Sequence, residues 1–272
     1  MGEKKRLLEG QVALVTGAGR GLGRAFAEHL AALGCAVGVH GMREHGPAEY
    51  GEGTTLTATA QAIGAAHGVP ACRVLGDLTL PGEVERVVAE VEAALGPIDI
   101  LVHNAGGDIG AAGGKPQPND AVEVPAADVR SVIERNLMST IFVCQTVARG
   151  MMQRRRGRIL AIGSIAAFKG RTHGAIYGTA KAGMTHYTRC LADQLRPFEV
   201  TANVLAPGEA RSGRFLGTRD VDPARLAESG TLDRIATVEE VARVAEFFAG
   251  PLGAYVTGQV LRVDGGAQCW PA

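Results

Sequence analysis

A tyrosine and a lysine lie four residues apart in the stretch AIYGTAK, residues 175–181. Side chains with this spacing share one face of a helix, so the phenol of Tyr177 and the ammonium of Lys181 are expected to share one environment. A phenol has a pKa near 10, and lowering it by about three units takes roughly 4 kcal/mol of preferential stabilisation of the phenolate. A cation one turn away could supply much of this and let Tyr177 exchange a proton. The spacing also fits an ordinary pair on a solvated helix.

A glycine-rich loop, TGAGRGLG at residues 16–23, lies between the first apolar run and the first helical pattern. Gly17 permits a tight turn, and Gly21 and Gly23 let the backbone approach a pyrophosphate and pack helix against strand. The unpaired amides at the start of the helix attract phosphate groups. This context favours a dinucleotide site over a mere tight turn.

The end of the second apolar run, VHGMRE, indicates which dinucleotide is bound. NAD sites usually place Asp or Glu there, on the ribose hydroxyl. Gly41 occupies that position, and no acidic residue follows until Glu44. Arg43 is close by and Arg20 lies in the glycine loop, and two arginines without an acid suit a 2′-phosphate. The sequence therefore favours NADP over NAD, although either arginine could face solvent.

Apolar runs alternate with helical patterns along the chain. Strands are expected at 11–17, 35–40, 71–76, 98–106, 157–163, 199–205 and 259–263. Helices are expected at 24–34, 56–68, 81–96, 126–152, 175–196 and 237–249. This order predicts an α/β fold over residues 1–272: one Rossmann-type doubly wound domain of about seven parallel strands with helices on both faces. Ligands then bind at the carboxyl ends of the strands.

Two irregular stretches follow predicted strands, at 106–124 and at about 208–236. Long loops in a compact domain are usually functional or disordered. Because both follow the carboxyl ends of strands, we interpret them as walls of a pocket, the second acting as a lid. Flexible surface insertions are the alternative.

Composition argues against several partners. Lysine plus arginine and aspartate plus glutamate number 28 each, so no global field attracts nucleic acid or an anionic membrane. The basic run at 154–158 is interpreted as a solvated turn. Five scattered cysteines without a CxxC pair suit a reducing cytoplasm, and the histidines have no metal-ligand spacing, so no metal is predicted. The segment MGEKKRLLEG lacks the apolar core of a signal peptide, and no apolar run reaches transmembrane length.

From about residue 9 to 267 the chain resembles the short-chain dehydrogenase/reductase family, including members similar to 3-ketoacyl-carrier-protein reductases. The motifs occur in the family's order. They are TGAGRGLG (16–23), GDL (76–78), HNAG (103–106), ERNLMST (134–140), GSIAA (163–167), YGTAK (177–181), APG (206–208) and VTGQVLRVDGG (256–266). Ser164 precedes Tyr177 by the family's usual thirteen residues.

The resemblance implies four catalytic residues, Asn136, Ser164, Tyr177 and Lys181. Tyr177 would exchange a proton with the substrate oxygen, and Ser164 would hydrogen-bond that oxygen. Lys181 would also hold the nicotinamide ribose. Asn136 would hold a water molecule that links Lys181 to solvent.

The glycine loop, the two arginines and the resemblance together predict a set of cofactor-binding residues. They are Gly17, Arg20, Gly21, Leu22, Gly23, Arg43, Asp77, Leu78, Asn104, Ala105, Gly106, Tyr177, Lys181, Pro207, Gly208 and Ser212. Asp77 would contact the adenine ring. Three positions depart from the family pattern: His103 replaces an asparagine, Ser212 replaces a threonine, and Glu209 would face either a polar or cationic substrate or solvent.

The expected function is an NAD(P)-dependent oxidoreductase, with NADP favoured, that transfers hydride between nicotinamide and a secondary alcohol or ketone. The alternatives are a cofactor-binding regulator without turnover, and an isomerase or dehydratase that uses the same tyrosine. The expected pocket residues Asp108, Lys169, Arg171, His173 and Glu209 favour a small polar substrate over a steroid. The resemblance implies a homotetramer, in which the segment 261–272 could form a subunit contact.

Overall fold

The computed structural model of the protein describes residues 6–227 and 230–270. Three predictions extend beyond these residues. Residues 1–5 of the amino-terminal segment, 228–229 of the expected lid and 271–272 of the expected subunit contact lie outside the described part.

Seven strands form one sheet in which all neighbours are parallel. The strands are β1 (Val12–Thr16), β2 (Ala36–Gly41), β3 (Ala71–Leu75), β4 (Ile100–His103), β5 (Gly157–Ile162), β6 (Val200–Pro207) and β7 (Val260–Val263). Their spatial order is β3-β2-β1-β4-β5-β6-β7. The direction of winding reverses between β1 and β4, which opens a crevice at their carboxyl ends. The predicted doubly wound α/β sheet is confirmed.

Helices cover both faces of the sheet. They are α1 (Gly21–Ala32), α2 (Leu56–His67), α3 (Pro81–Leu95), α4 (Ala126–Ile133), α5 (Ser139–Arg154), α6 (Ala175–Leu195), α7 (Gly213–Gly217) and α8 (Val238–Ala249). One apolar core joins α1, α2 and α8 to one face, and a second joins α3, α5 and α6 to the other. Because both faces are covered, β1 and β6 are buried along their whole length, as their continuous apolar sequences predict.

The long helix predicted at 126–152 is interrupted by a π-helical turn, Glu134–Met138, between α4 and α5. Polar side chains stabilise this turn by bonding to its backbone. Asn136 Nδ2 donates to the Val132 carbonyl at 2.8 Å, and Thr140 Oγ1 donates to the Asn136 carbonyl at 2.6 Å. Such turns inside helices often occur at functional sites.

The irregular stretches also differ from prediction in part. The segment 208–236 contains α7 and a 3₁₀ turn at Pro223–Leu226, and a further 3₁₀ turn at Gly46–Tyr50 follows β2. Strand β4 ends at His103, before the predicted position 106, because its partner β1 ends at Thr16 and the Thr16 hydroxyl accepts from the next two amides of the chain.

The basic run at 154–158 forms the turn from α5 into β5, at the sheet edge opposite the crevice. Its arginines bond within the chain. Arg156 Nη2 lies 2.6 Å from Asp99 Oδ1, and Arg154 Nη2 donates to the Ile98 carbonyl at 2.8 Å. Across residues 6–227 and 230–270, no helix is long and apolar enough to cross a membrane.

Candidate active site

The glycine loop joins β1 to α1 at the centre of the crevice. Gly17 and Gly21 have φ angles of 63° and 54°, which favour glycine. A Cβ atom on Gly23 would lie 2.0 Å from the Gly17 carbonyl oxygen, so any side chain there would force the loop open. The loop therefore brings backbone amides to the start of α1 where larger residues would block them.

A carboxylate occupies the start of α1. The Gly21 amide donates to Glu52 Oε2 at 2.5 Å, and the Gly213 amide of α7 donates to Glu52 Oε1 at 2.6 Å. The glycine loop and the segment before α7 thus meet through one anion. The unpaired amides and dipole at this end of α1 suit a negative group, and Glu52 stands where a dinucleotide pyrophosphate would bind. The site fits the cofactor that the sequence predicts.

The two predicted phosphate-binding arginines converge on a second carboxylate. Arg20 Nη1 and Arg43 Nη2 lie 2.8 Å and 2.9 Å from Glu49 Oε2. Arg20 also stacks over the ring of Tyr50, with its guanidinium carbon 4.7 Å from the ring centroid. Burial acts to raise the pKa of Glu49, but Arg20 and Arg43 outweigh it and hold that pKa below its ordinary value.

Glu49 and Glu52 were missed by sequence reasoning. Both lie in or next to the turn Gly46–Tyr50, several residues beyond the position at which an acid normally marks the ribose site. The signal in the sequence is the acidic pair in AEYGEG, residues 48–53, which begins five residues after Arg43.

Helix α6 positions Tyr177 and Lys181, and Ser164 follows the end of β5. Lys181 is buried, donates from Nζ to the Ile162 carbonyl at 2.8 Å, and lies with Nζ 5.8 Å from the centroid of the Tyr177 ring. Ser164 hydrogen-bonds with the Tyr177 side chain. The structure therefore brings Ser164, Tyr177 and Lys181 together.

Asn136 bonds to the chain that leaves β4. Its Oδ1 accepts from the Gly107 amide at 2.9 Å, and its Nδ2 donates to the Gly107 carbonyl at 2.9 Å. Leu137 of the same π-helical turn packs against Met184 of α6. Asn136 thus fixes the Gly107 backbone beside the helix that carries Tyr177 and Lys181.

The pKa of Tyr177 differs from the expectation drawn from Lys181. Burial of the phenol raises the pKa of Tyr177, and the hydrogen bond with Ser164 opposes this only in part. Burial also lowers the pKa of Lys181 to about 8. The predicted lowering of the phenol pKa was wrong for the protein alone, because desolvation of the phenolate outweighs the hydrogen bond with Ser164 and the charges of Arg214 and Arg219. Tyr177 is therefore protonated at neutral pH and can donate its proton.

Two buried histidines support the loops of the crevice. Thr16 Oγ1 accepts from the amides of Asn104 and Ala105, both at 3.0 Å, so its own proton points to Nδ1 of His103 at 3.1 Å. His40 accepts from the Gly17 amide through Nδ1 and reaches the Gly76 carbonyl through Nε2. Burial lowers the pKa of His103 to about 3 and that of His40 to about 4, so both are neutral. His103 therefore preserves the support at the end of β4.

The remaining predicted cofactor residues lie along the same edge of the sheet. Asn104 Nδ2 reaches the carbonyls of Thr16 and Gly17, both at 3.3 Å. Asp77 follows β3, and its Oδ1 accepts from the amide and the hydroxyl of Thr79, while Leu78 is buried in the core. Pro207 ends β6, and Ser212 caps α7 by accepting from the Phe215 amide.

A half-open cavity of about 700 Å³ lies beside these groups. Leu22, Ser164, Tyr177, Gly208 and Ser212 line it, whereas Lys181 and Asn136 lie behind its wall. Further lining residues come from the expected pocket, and these are Asp108, Arg171, His173 and Glu209. Lys169 does not line it, and its ammonium lies 5.6 Å from the centroid of the Trp270 ring. Glu209 forms an ion pair with Arg225 at 2.9 Å.

Residues 11–217 match the sequence profile of the short chain dehydrogenase family. Cyclohexanol dehydrogenase from Rhodococcus sp. (strain TK6) is 38% identical over 271 residues, which cover 95% of this chain and 96% of that protein. The 3-oxoacyl-[acyl-carrier-protein] reductase FabG of Escherichia coli (strain K12) is 34% identical and covers 95% and 97% of the two chains. A solved structure of 7α-hydroxysteroid dehydrogenase, complexed with NADH and 7-oxo glycochenodeoxycholic acid, has a TM-score of 0.81 at 27% identity and covers 98% of each chain.

Replacing the carboxylate at the start of α1 should make this site easier to occupy. In Glu52→Gln the two amides lose a charged acceptor worth about 1 kcal/mol, so the dissociation constant of NADPH should fall roughly fivefold. Nicotinamide fluorescence measures this constant. Glu90→Gln, which removes an exposed carboxylate on α3, is the matched control and should leave it unchanged. An unchanged or raised constant in Glu52→Gln would show that Glu52 does not compete with the cofactor.

Proposed function

Because the chain belongs to the short-chain dehydrogenase/reductase family and is an NAD(P)-dependent oxidoreductase, we propose that it transfers hydride between NADP and a secondary alcohol or ketone, with Tyr177 exchanging the proton. The observation that carries this proposal is the meeting of Ser164 and Tyr177 in a cavity next to the glycine loop, with Lys181 buried behind them.

The nicotinamide, when bound, supplies or accepts the hydride. Ser164 Oγ holds the substrate oxygen by a hydrogen bond and orients the carbonyl. Tyr177 Oη donates its proton to that oxygen during reduction. The phenolate that remains is stabilised by the Lys181 ammonium. Two unit charges about 6 Å apart attract by about 3 kcal/mol at an effective dielectric constant of about 20.

The protonation state of Tyr177 supports the reducing direction. Burial raises its pKa, so the neutral phenol is ready to donate at neutral pH. Lys181, with a pKa of about 8, is charged below that pH and can stabilise the phenolate product. The proton is then replaced through Lys181 and a water molecule, for which Asn136 Oδ1 keeps one acceptor position beyond its bond to Gly107.

The preference for NADP over NAD rests on the convergence of Arg20 and Arg43. Both guanidiniums contact the same oxygen of Glu49, so a single anionic group can bind to both arginines at once. A 2′-phosphate would replace Glu49 there with a doubly charged acceptor. Gly41 ends β2 without an acid to bind a ribose hydroxyl. NAD becomes the better cofactor if Glu49 stays on both arginines and itself accepts from the ribose.

Separate titrations with NADPH and NADH test the cofactor assignment. NADPH should bind more tightly, and Arg43→Ala should weaken NADPH roughly tenfold by removing a charge-assisted contact of about 1.5 kcal/mol, while NADH affinity stays the same. Arg196→Ala, which removes an exposed arginine paired with Asp193, is the control. Tighter binding of NADH by the unaltered protein would overturn the assignment. Ketones are then screened by oxidation of the preferred cofactor.

We propose that the chain works as one domain, with 208–236 as a lid, since Arg214, Phe215 and Thr218 of this segment line the cavity. We also propose a cytoplasmic location, supported by five free thiols at Cys35, Cys72, Cys144, Cys190 and Cys269. The proposed partners are a small-molecule alcohol or ketone and copies of this chain, with neither nucleic acid nor membrane.

A homotetramer is supported by the sheet edge at β7. Among the described residues β7 pairs only with β6, and the apolar side chains of Leu252, Tyr255 and Leu261 near this edge are exposed. Unpaired edges and exposed apolar groups favour association. Sedimentation velocity should give a mass about four times the chain mass of 28.2 kDa. A single species with the mass of one chain would contradict the proposal.

A further inference from the structure

Four cationic side chains line the cavity next to Tyr177, and three of them, Lys115, Arg214 and Arg219, act on one another electrostatically. Lys115 comes from the loop after β4, and Arg214 and Arg219 come from the segment around α7. Lys115 Nζ donates to the Thr218 carbonyl at 3.2 Å, and Arg214 Nη2 donates to the Asp108 carbonyl at 3.0 Å. The Arg219 guanidinium carbon lies 4.4 Å from the centroid of the Phe215 ring. We call Lys115, Arg214 and Arg219 the cation cluster.

The cation cluster has little negative charge to balance it. Within residues 6–227 and 230–270 none of its members forms an ion pair. Burial, and then repulsion from Arg219 and Arg214, lowers the pKa of Lys115, and Asp108 opposes this in part. Burial likewise lowers the pKa of Arg214. Like charges held together in a partly dry site are unfavourable unless an anion joins them.

The three carboxylates that line the cavity each contact a group outside the cation cluster. Glu209 pairs with Arg225 at 2.9 Å. Asp120 Oδ1 accepts from the amides of Val122 and Glu123 at 2.8 Å and 2.7 Å. Asp108 Oδ2 accepts from Asn119 Nδ2 at 2.7 Å. Four cations and three carboxylates line the cavity, and of these carboxylates Asp108 acts on Lys115 and Arg214, so the cation cluster keeps an excess of positive charge although the chain as a whole carries no net charge.

The cation cluster is close to the reacting group. Both Arg214 and Arg219 act electrostatically on Tyr177, in the direction that lowers its pKa. Arg214 also lies over the backbone of Gly107, since a Cβ atom there would be 2.3 Å from Arg214 Nη1. Within the described residues, Leu22 is the only residue of the glycine loop that lines this cavity. The groups proposed to bind the cofactor phosphates, which are the Gly21 amide and the guanidiniums of Arg20 and Arg43, do not belong to the cation cluster.

We propose that the substrate carries a second functional group, a carboxylate or a phosphate, which binds to Lys115, Arg214 and Arg219 while its carbonyl meets Tyr177 and Ser164. This inference rests on the proposed function and narrows its substrate class to oxo acids or oxo phosphates. The bound anion neutralises the cation cluster and fixes the distance between the charged end of the substrate and its reacting carbon.

The test compares ketones that differ in charge and little else. The pairs are 4-oxopentanoate with its methyl ester and dihydroxyacetone phosphate with dihydroxyacetone, each assayed with the preferred cofactor. The anionic member of at least one pair should have a kcat/KM about tenfold or more above that of its neutral partner. The pair with the larger ratio identifies the anion as carboxylate or phosphate.

An arginine variant assigns the effect to the cation cluster. Arg219→Gln should reduce the preference for the anionic ketone over its neutral partner about tenfold, through the KM of the anionic ketone. Arg189→Gln, which replaces an exposed arginine on α6 outside the cavity, is the matched control. A loss of cofactor affinity in Arg219→Gln equal to the loss in turnover would overturn the proposal and assign the cluster to cofactor phosphates. Equal turnover of charged and neutral ketones would overturn it as well.

A binding measurement separates this proposal from the proposed function. The melting temperature of the cofactor-bound protein is recorded with each of the four compounds. If no ketone is reduced but an anionic compound stabilises the protein in an Arg219-dependent way, the anion site stands and the proposed reaction fails. If the anionic compounds neither react preferentially nor stabilise the protein more than the neutral ones, the anion site is wrong.

Discussion

The unpaired amides at the start of α1 are the constraint on which the site depends. A helix that begins at the carboxyl end of a central strand presents its first backbone amides and the positive end of its dipole to the crevice. These amides must find an acceptor. In this protein Glu52 is that acceptor, and it joins the glycine loop to α7. The segment after β2 therefore reaches across the crevice to the segment after β6. We propose that a cofactor phosphate replaces this carboxylate, which would couple cofactor binding to the arrangement of both segments.

Burial and charge together set the protonation states of Lys181 and Tyr177. Lys181 is buried beside the end of β5, where desolvation lowers its pKa to about 8 without neutralising it at neutral pH. Burial also raises the pKa of Tyr177, so its phenol stays protonated at neutral pH. In the mechanism we propose, Tyr177 is the proton donor, and Lys181, one helical turn away, stabilises the phenolate after the proton has left. Asn136 and the π-helical turn hold the adjoining Gly107 backbone in place.

Much of this architecture could be predicted from the sequence, because it depends on local patterns. Continuous apolar runs such as VALVT identify strands buried on both faces, and the four-residue spacing of Tyr177 and Lys181 places them on one helix face. The family resemblance adds Ser164 to this pair. Other features arise from contacts between distant segments. Glu52 meets Gly213 across 161 positions of the chain, so no local pattern indicates it. The direction of the Tyr177 pKa shift depends on burial, which a spacing of four residues does not report. The π-helical turn preserves the apolar pattern of an ordinary helix, so periodicity over 126–152 predicted one unbroken helix.

The proton transfer from Tyr177 is the central claim, and a single-turnover measurement tests it most directly. The protein, loaded with the cofactor it prefers, is mixed with a ketone substrate, and loss of reduced nicotinamide absorbance is followed. Tyr187→Phe is the matched control, because Tyr187 lies on the same helix and its hydroxyl donates to the Ile141 carbonyl away from the cavity. We expect Tyr177→Phe, when saturated with the cofactor, to reduce the ketone at least about a hundredfold more slowly than the unaltered protein, while Tyr187→Phe keeps its rate. A Tyr177→Phe variant that reduces the ketone at the rate of the control would contradict the account.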